Sequence, residues 1–500
     1  MSVIKKLAGQ TAIYGVSSIL ARVLNQFLTP FYILVFVKAS IIGQITLMYS
    51  YVAFFMILLS FGLETAFFNF SNKEKDKEKV YSSALTFIAV TSVLFIVFGS
   101  IFSQNLADLI GFSSRPDFVV YFAFVLGFDA FSSIPMARLR QEGKPKKFAL
   151  INIANIGANI FFSLFFLWYC KGNYDAGNSN WLIDLIYNPE LGIAYVFLAN
   201  LLASLTKLVL LYKEIILIKW QWNIVLLKKM MIYGLPLMVA GFAGIINETF
   251  DKILLQKILT PKHGIEYAQQ QVGIYGGVYK LSIIISLFIQ AYRYAAEPFF
   301  FAKAKDKDAQ KTYSMVMNYF VIAVCVMFLG VLLYLEIFKW IFVPREEFWI
   351  GLKVVPILLL ANICLGIYYN QSIWYKLSGQ TKYGAYLAIG GALLTIILNV
   401  IFIPYFGFVA SAWATLAVYA SMMVASYFLG QKHYPIPYNL RKIGFYLAFT
   451  LSVYGISLVF KYFFSENVGT VLTFNTALMG FYLWFIYKLE GINLKGFLKR

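Results

Sequence analysis

The chain has 500 residues, of which 60% are hydrophobic and only 13% are charged. A soluble domain of this size could not bury so much apolar surface, which excludes ordinary soluble enzymes and binding domains. The formal net charge of +19 would fit a nucleic-acid-binding protein, but lysines and arginines in the cytoplasmic loops of a membrane protein give the same total. We therefore expect an integral membrane protein.

The predicted elements are apolar stretches that are long enough to cross a bilayer as helices. None of them alternates apolar and polar residues as the strands of a membrane barrel do. The sequence therefore predicts an all-α polytopic membrane protein. About fourteen stretches of about 20 residues or more can be marked, and they lie near residues 11–36, 42–70, 80–102, 117–138, 148–170, 191–213, 231–257, 272–296, 313–339, 352–375, 383–403, 407–430, 443–461 and 467–487.

The basic residues of the loops predict the orientation of these spans. With the N-terminus placed in the cytoplasm, about 28 basic residues fall in cytoplasmic loops and tails and about 9 in the opposite loops. Both termini are therefore expected to be cytoplasmic. This distribution accounts for most of the net charge, so no nucleic-acid partner is expected. No cleavable signal peptide is visible, because the first apolar stretch is long enough to remain as a span.

The order of the spans favours two halves joined by a linker. Pro30 and Pro236 lie in the first span of each half, and repeated halves are the usual plan of transporters. The linker is apolar but carries polar residues and two tryptophans, which predicts an interfacial helix; alternatively it only extends span six. The predicted domains are an N-lobe at 1–213 (spans one to six), an interfacial linker helix at 214–230, a C-lobe at 231–430 (spans seven to twelve), and C-terminal helices with a tail at 431–500.

The sequence contains few candidates for catalytic or metal-binding residues. His263 and His433 lie in loops, and Cys170, Cys325 and Cys364 lie in apolar segments without metal-ligand spacing. The sequence contains no phosphate-binding glycine-rich motif and no nucleophile elbow. We therefore expect neither enzyme activity nor a cofactor.

Ionisable residues within the spans are the candidate functional residues, since a charge at the bilayer centre costs about 3 kcal/mol. The stretch GIINETFDKILL of span seven carries Glu248, Asp251 and Lys252. Lys252 lies four residues after Glu248 and could simply neutralise it, which would leave Asp251 unpaired within its helix. Lys280 of span eight lies at a similar depth, so we expect Asp251 or Glu248 to face Lys280.

Further candidates lie in spans one, two, four and eight. For Arg22 and Asp129 the alternative is a purely structural buried pair, and Lys207 of span six could extend to the inner interface. Deep charges concentrate in a few helices, which favours a water-filled cavity between the lobes. Cations in such a cavity suit an anionic substrate, and acids suit coupling to H⁺ or Na⁺. These further candidates are Arg22, Asn25, Gln26, Glu64, Asp129 and Arg293.

Four stretches together resemble one family of transporters. The chain resembles the polysaccharide-biosynthesis flippases, which are O-antigen-type lipid-linked oligosaccharide flippases of the multidrug/oligosaccharidyl-lipid/polysaccharide (MOP) exporter superfamily. The resembling stretches are SFGLETAFFNF in span two, NETFDKILL in span seven, YKLSIIISLFIQAYRYAAEPFFF in span eight, and GQTKYGAYLAIGGALLTIILNVIFIPYFGFVASAWATLAVYA across spans eleven and twelve.

The resemblance implies two pseudo-symmetric six-helix lobes around a V-shaped cavity, with two further C-terminal helices. It implies a flippase of the inner (plasma) membrane that moves an undecaprenyl-pyrophosphate-linked oligosaccharide to the outer leaflet by alternating access, driven by an ion gradient. The implied partners are the lipid-linked anionic glycan, the bilayer, and polysaccharide polymerase or assembly proteins. Two alternatives are a MATE-type multidrug or cation antiporter of the same superfamily, and a membrane-embedded polymerase or acyltransferase.

The resemblance also implies roles for the charged residues. The peptidoglycan-precursor branch of the family carries more arginines in span two, so Glu64 disfavours that branch. Glu64 and Arg293 are expected to pair between the lobes at the inner side. The basic residues that match those contacting the pyrophosphate are Arg22, Lys280 and Arg293, with Asn25 and Gln26 as polar neighbours. The residues expected to gate or to couple to an ion are Glu64, Asp129, Glu248 and the recurrent acid–base pair Asp251 and Lys252.

Overall fold

The structure is a computed structural model, and it describes residues 20, 23–218, 220–304, 306–464 and 467–491. Within these ranges the chain forms helices and turns and contains no β-strand. The all-α fold class is therefore confirmed. Long apolar segments become helices in a membrane because a helix satisfies every backbone hydrogen bond within its own segment.

The helices of the first part of the chain follow the predicted spans closely. A π-helical turn at Phe165–Cys170 joins α7 to α8, and a 3₁₀ turn at Pro189–Leu191 precedes α10. These helices are Leu28–Val35 (α1), Ala39–Ser60 (α2), Leu63–Lys73 (α3), Lys77–Ile101 (α4), Ser103–Ile110 (α5), Pro116–Gln141 (α6), Pro145–Leu164 (α7), Lys171–Asp175 (α8), Trp181–Ile186 (α9), Ala194–Leu210 (α10) and Tyr212–Ile216 (α11).

The second part of the chain begins with two very long helices. A 3₁₀ segment at Glu346–Val354 leads into α16. The helices are Ile224–His263 (α12), Ile265–Lys303 (α13), Ala309–Leu333 (α14), Leu335–Phe342 (α15), Val355–Gln371 (α16), Ile373–Leu377 (α17), Lys382–Phe406 (α18), Phe408–His433 (α19), Leu440–Phe463 (α20) and Val468–Glu490 (α21).

Twelve helices among the described residues are long and apolar enough to cross a membrane. Two shorter apolar helices, Val23–Val35 and Ala194–Leu210, lie within the predicted spans one and six. Every predicted span thus coincides with an apolar helix of the described part of the chain. The count of fourteen spans and the cytoplasmic termini stay predictions, since residues 1–19 and 492–500 lie outside the described ranges.

The predicted linker helix at 214–230 differs from the observed structure. The helix α11 ends at Ile216, and α12 then begins at Ile224 and continues for 40 residues. The side chain of Asn223 accepts a hydrogen bond from the backbone N–H of Leu226 at 3.0 Å, and such a cap starts a new helix. The second half of the predicted linker therefore belongs to the helix of span seven.

Span two is interrupted between α2 and α3. Phe61 and Gly62 both have positive φ angles, of 49° and 64°, so the chain leaves helical geometry there before α3 begins. A side chain at Gly62 would also collide with the backbone carbonyl of Gly234 in α12. Only glycine satisfies both conditions without strain. This break sets the direction of α3, which carries Glu64 in its first turn.

We expect Gly62→Ala to destabilise the protein by about 2 kcal/mol, because left-handed backbone costs an L-residue roughly 1–2 kcal/mol and the collision adds to it. Thermal unfolding of the purified chain in detergent measures the effect. Gly157→Ala is the matched control, because nothing lies within 4 Å of the added Cβ and alanine favours a helix. Equal unfolding midpoints for the two variants would contradict this explanation.

The packing divides the chain into two compact units. The first holds the described residues up to Gly276 together with Ala388–Ser411, and the second holds Gly277–Leu387 and the described residues from Ala412 onward. These boundaries differ from the predicted ones at residues 213, 231 and 430. Within the first unit, side chains at Gly43 and Gly273 would collide with backbone carbonyls of α13 and α2, so these glycines allow the two helices to approach closely.

Candidate functional site

The most deeply buried charges of the first unit are Asp251 and Lys252 in α12. Asp251 is only 2% exposed and Lys252 only 6%, and Lys252 Nζ lies 3.0 Å from Asp251 Oδ1. The hydroxyl of Tyr275 donates a hydrogen bond to Asp251 Oδ2 at 2.8 Å, and the backbone N–H of Lys252 donates one to Oδ1. Both carboxylate oxygens thus have donors, which compensates for the lost hydration of the buried charge.

Glu248, one turn earlier in α12, does not form the intrahelical ion pair that the spacing suggested. The ammonium of Lys252 donates to the backbone carbonyl of Glu248 at 3.2 Å, while the Glu248 side chain is exposed. Lys252 is thus neutralised by its neighbour Asp251. Lys280 is half-buried in the second unit, and its predicted pairing with Asp251 or Glu248 stays a prediction.

A set of hydrogen-bonded buried polar side chains in the first unit begins at Asn247, one helical turn before this pair. Asn247 donates to the carbonyl of Ala388 at 3.1 Å and accepts from the hydroxyl of Thr395 at 3.0 Å. Asn399 accepts from the hydroxyl of Ser411 at 2.9 Å and donates to the carbonyl of Thr395 at 2.8 Å. We call the whole set the Asp251 cluster; its members are Asn247, Asp251, Lys252, Tyr275, Thr395, Asn399 and Ser411.

Asp129 and Lys207 form a second ion pair in the first unit. Lys207 Nζ lies 3.1 Å from Asp129 Oδ1, and the hydroxyl of Ser204 donates to the same oxygen at 3.2 Å. The two side chains are 30% and 17% exposed. Lys207 therefore pairs with an acid instead of extending alone to the interface, because an ion pair lowers the cost of a charge within the membrane.

Glu64 in α3 pairs with Arg140 in α6, with a distance of 2.5 Å between Oε1 and Nη1. The Arg140 guanidinium also lies 4.9 Å from the centroid of the Phe68 ring. The pairing of Glu64 with Arg293 between the lobes stays a prediction, because the structure gives each residue a partner within its own unit. Arg140 lies beyond the predicted end of span four at residue 138, so the sequence alone places it in a cytoplasmic loop.

The predicted polar residues of span one are only partly described. Arg22 lies outside the described residues. Asn25 accepts a hydrogen bond from the amide of Asn159 at 3.4 Å. The side-chain carbonyl oxygen of Gln26 is buried without a hydrogen-bond partner among the described residues.

Charges with aromatic neighbours form two clusters among the described residues of the second unit. In one of them Lys339 and Lys461 share the carboxylate of Glu336, and Lys339 lies 4.0 Å from the centroid of the Trp349 ring. The other surrounds Glu297. Arg293 Nε lies 3.5 Å from Glu297 Oε1, and Lys376 Nζ lies 2.6 Å from the same oxygen. The guanidinium carbon of Arg293 lies 4.2 Å from the centroid of the Tyr369 ring, a geometry of cation–π attraction. Two cations share one carboxylate, so this Arg293 cluster (Arg293, Glu297, Tyr369 and Lys376) has a net charge of +1.

The Asp251 cluster and the Arg293 cluster differ in what they can do chemically. In the Asp251 cluster, Lys252 and Tyr275 both bond to the carboxylate of Asp251, so the buried charges compensate each other. The side chain of Arg293 is 38% exposed, and a guanidinium can bind two oxygens of an anion through parallel hydrogen bonds. The Arg293 cluster can therefore accept an anionic group.

Several members of these clusters were not recognised from the sequence. Asn247 is four residues before Asp251, so it lies on the same face of α12, and this spacing could have identified it. Asn399 and Ser411 lie in the stretch across spans eleven and twelve, but nothing in the sequence shows their hydrogen bond to each other. Lys376 lies just beyond the predicted end of span ten at residue 375, so the sequence alone places it in a loop.

Comparison with known proteins identifies the family. Residues 8–302, more than half of the chain, match the sequence model of the family described as "Polysaccharide biosynthesis protein". The chain belongs to the polysaccharide biosynthesis protein family. This finding confirms the resemblance predicted from the four stretches. No curated protein sequence matches the chain.

Solved structures show which fold this member of the polysaccharide biosynthesis protein family has. "Lipid II flippase MurJ, inward closed conformation" matches with a TM-score of 0.70 and 14% identity over 95% of this chain and 99% of that chain. An inward-facing multidrug resistance MATE family transporter of the MOP superfamily matches with a TM-score of 0.62 and 12% identity, covering 83% and 93%. A MATE structure in the straight conformation matches with a TM-score of 0.60 and 13% identity, covering 86% and 95%.

These matches place the chain among transporters by fold. The matched structures named here include a lipid II flippase and a multidrug resistance transporter. Together with the apolar helices, the matches confirm the prediction of a multi-pass protein of the inner membrane that is associated with polysaccharide biosynthesis.

Proposed function

We propose that this protein is a flippase that moves an undecaprenyl-pyrophosphate-linked oligosaccharide, the repeat unit of a surface polysaccharide, to the outer leaflet by alternating access. The family match supports a role in polysaccharide synthesis, and the fold shared with a lipid II flippase supports movement of a lipid-linked substrate. Polysaccharide polymerase or assembly proteins are the partners that such a substrate implies.

The observation that carries the proposal is the Arg293 cluster. A cation that is partly exposed, held over Tyr369 and incompletely neutralised by Glu297 suits a pyrophosphate or an acidic sugar. A drug or cation antiporter would need an excess of carboxylates at its binding site, whereas here the cations exceed the carboxylates. The cluster thus favours the flippase over the antiporter. Arg22 and Lys280 are the further candidates for binding the anionic headgroup.

Coupling to an ion gradient is part of the proposal, and the acids of the first unit are its candidates. Asp251 is a buried carboxylate whose neutralisation depends on one ammonium and one phenol. Protonation of Asp251, or a competing cation, would release Lys252 from it, and a change of partner of this kind can switch a helix between two arrangements. Glu64, Asp129 and Glu248 are further candidates, and the coupling ion is H⁺ or Na⁺.

Deletion of the gene tests the proposed function. Without the protein, we expect lipid-linked glycan to accumulate on the cytoplasmic leaflet, because synthesis continues while transfer stops. In spheroplasts, an added glycosidase reaches only the lipid-linked glycan of the outer leaflet. The measurement compares the amount of glycan released from spheroplasts with the total amount released after lysis. Normal export in the deletion strain, together with increased sensitivity to cationic dyes, would instead identify a drug antiporter.

A further inference from the structure

An apolar cleft of about 430 Å³ lies within the first unit, in the size range of ligand-binding cavities. Its walls come from α2, α4, α6 and α12, and α5 lies at one end. The lining is rich in phenylalanine, and Lys257 is the single charged residue that lines it. Of the charged residues discussed above, those within the described ranges do not line this cleft. Its aromatic lining includes Phe54, Phe55, Phe95, Phe122 and Phe250.

Lys257 gives the cleft one cationic end. The residue is exposed and lies near the C-terminal end of α12, which is the predicted outer side. Its ammonium donates a hydrogen bond to the carbonyl of Leu109 at the end of α5. An ammonium has three donors, so Lys257 can also contact an anion. An apolar cleft with a cation at its rim matches the chemistry of a lipid with an anionic headgroup.

Tyr51 supplies a second feature of the cleft. Its side chain lines the cleft, and its buried hydroxyl has no hydrogen-bond partner among the described residues. A polyprenyl chain carries a double bond in every five-carbon unit, and π electrons accept weak hydrogen bonds. A saturated acyl chain offers no such acceptor.

On the basis of the proposed function, we infer that this cleft holds the segment of the carrier lipid's polyprenyl chain next to the phosphate, with the lipid phosphate on Lys257. The chain lies against the phenylalanines within the bilayer, and the phosphate lies at the outer headgroup level. The cleft thereby holds the carrier lipid beside the protein once its headgroup has reached the outer leaflet.

Native mass spectrometry of the full chain in detergent tests this assignment, with undecaprenyl phosphate as the probe and dipalmitoyl phosphatidylglycerol, whose acyl chains are saturated, as the competitor. We expect saturable binding of one polyprenyl phosphate in preference to phosphatidylglycerol. Lys257→Gln removes a charge-assisted hydrogen bond and should weaken binding about tenfold. Lys262→Gln, at an exposed lysine of the same helix, should change binding by less than about twofold.

Filling the cleft provides a second, independent variant. Leu254→Trp places an indole at a lining position and should abolish the preference for polyprenyl phosphate. Val93→Trp is its control, since Val93 is 58% exposed on α4 and does not line the cleft. Unchanged binding in both Lys257→Gln and Leu254→Trp overturns the inference, and so does equal competition by phosphatidylglycerol.

The binding assay is independent of glycan export. If the chain binds polyprenyl phosphate through Lys257 but deletion of its gene leaves export normal, the cleft assignment stands and the proposed function is wrong. If the chain is required for export but binds the probe equally well with and without Lys257, the proposed function stands and the cleft assignment is wrong.

Discussion

Lys252→Met should destabilise the protein by about 3–5 kcal/mol, because it leaves the carboxylate of Asp251 buried without its cation. Asp251 is 2% exposed, so water cannot replace the lost partner. Asp251→Asn should have a similar effect, since it removes the carboxylate that pairs with the ammonium of Lys252. The midpoint of thermal unfolding in detergent measures both effects.

The double variant Asp251→Asn with Lys252→Met separates support of the fold from transport. Replacing a buried ion pair by neutral groups is often neutral or even stabilising, so this variant should unfold near the wild-type temperature. If the pair couples transport to an ion, the double variant should nevertheless fail to export glycan. Normal export by a stable double variant would show that Asp251 and Lys252 only support the fold.

Lys262→Met is the matched control for these variants. Lys262 lies in the same helix but is exposed, and an exposed charge contributes less than about 1 kcal/mol. Its unfolding midpoint should therefore stay close to that of the wild type. A drop as large as that of Lys252→Met would mean that the loss of any lysine from α12 destabilises the protein, irrespective of burial.

The sequence predicted the positions of the helices well because membrane thickness imposes their length and apolar character. It did not predict which charges pair. Lys252 contacts Asp251 rather than the Glu248 carboxylate four residues away, because the local packing determines which side chains meet. Arg140 and Lys376 resembled ordinary basic loop residues, yet each pairs with an acid in a helix.

Contacts between distant parts of the chain were also beyond the sequence. Asn247 and Thr395 are 148 positions apart and form a buried hydrogen bond. Their contact depends on how α12 and α18 are rotated and packed, and no periodicity in either helix specifies that. The break between α2 and α3 was likewise not predictable from the sequence, because the sequence phenylalanine–glycine occurs in many continuous helices.

Arg293→Ala should reduce glycan export at least tenfold if Arg293 binds the anionic headgroup. A charge-assisted hydrogen bond contributes roughly 1.5–3 kcal/mol, which corresponds to about tenfold to a hundredfold in binding. Arg293→Lys should retain part of the activity, because it keeps the charge but loses the planar pair of donors. Accumulation of lipid-linked glycan on the cytoplasmic leaflet, normalised to the amount of protein in the membrane, measures the effect.

Arg115→Ala is the matched control for Arg293→Ala. Arg115 pairs with Asp117 at 2.8 Å and lies 4.3 Å from the centroid of the Phe118 ring, so it has the same two kinds of contact as Arg293. The pairing of Arg115 leaves no excess cation, because one arginine faces one carboxylate. Loss of export in Arg293→Ala but not in Arg115→Ala would thus reflect anion binding rather than a lost ion pair, whereas equal export in both variants would remove the Arg293 cluster from the mechanism.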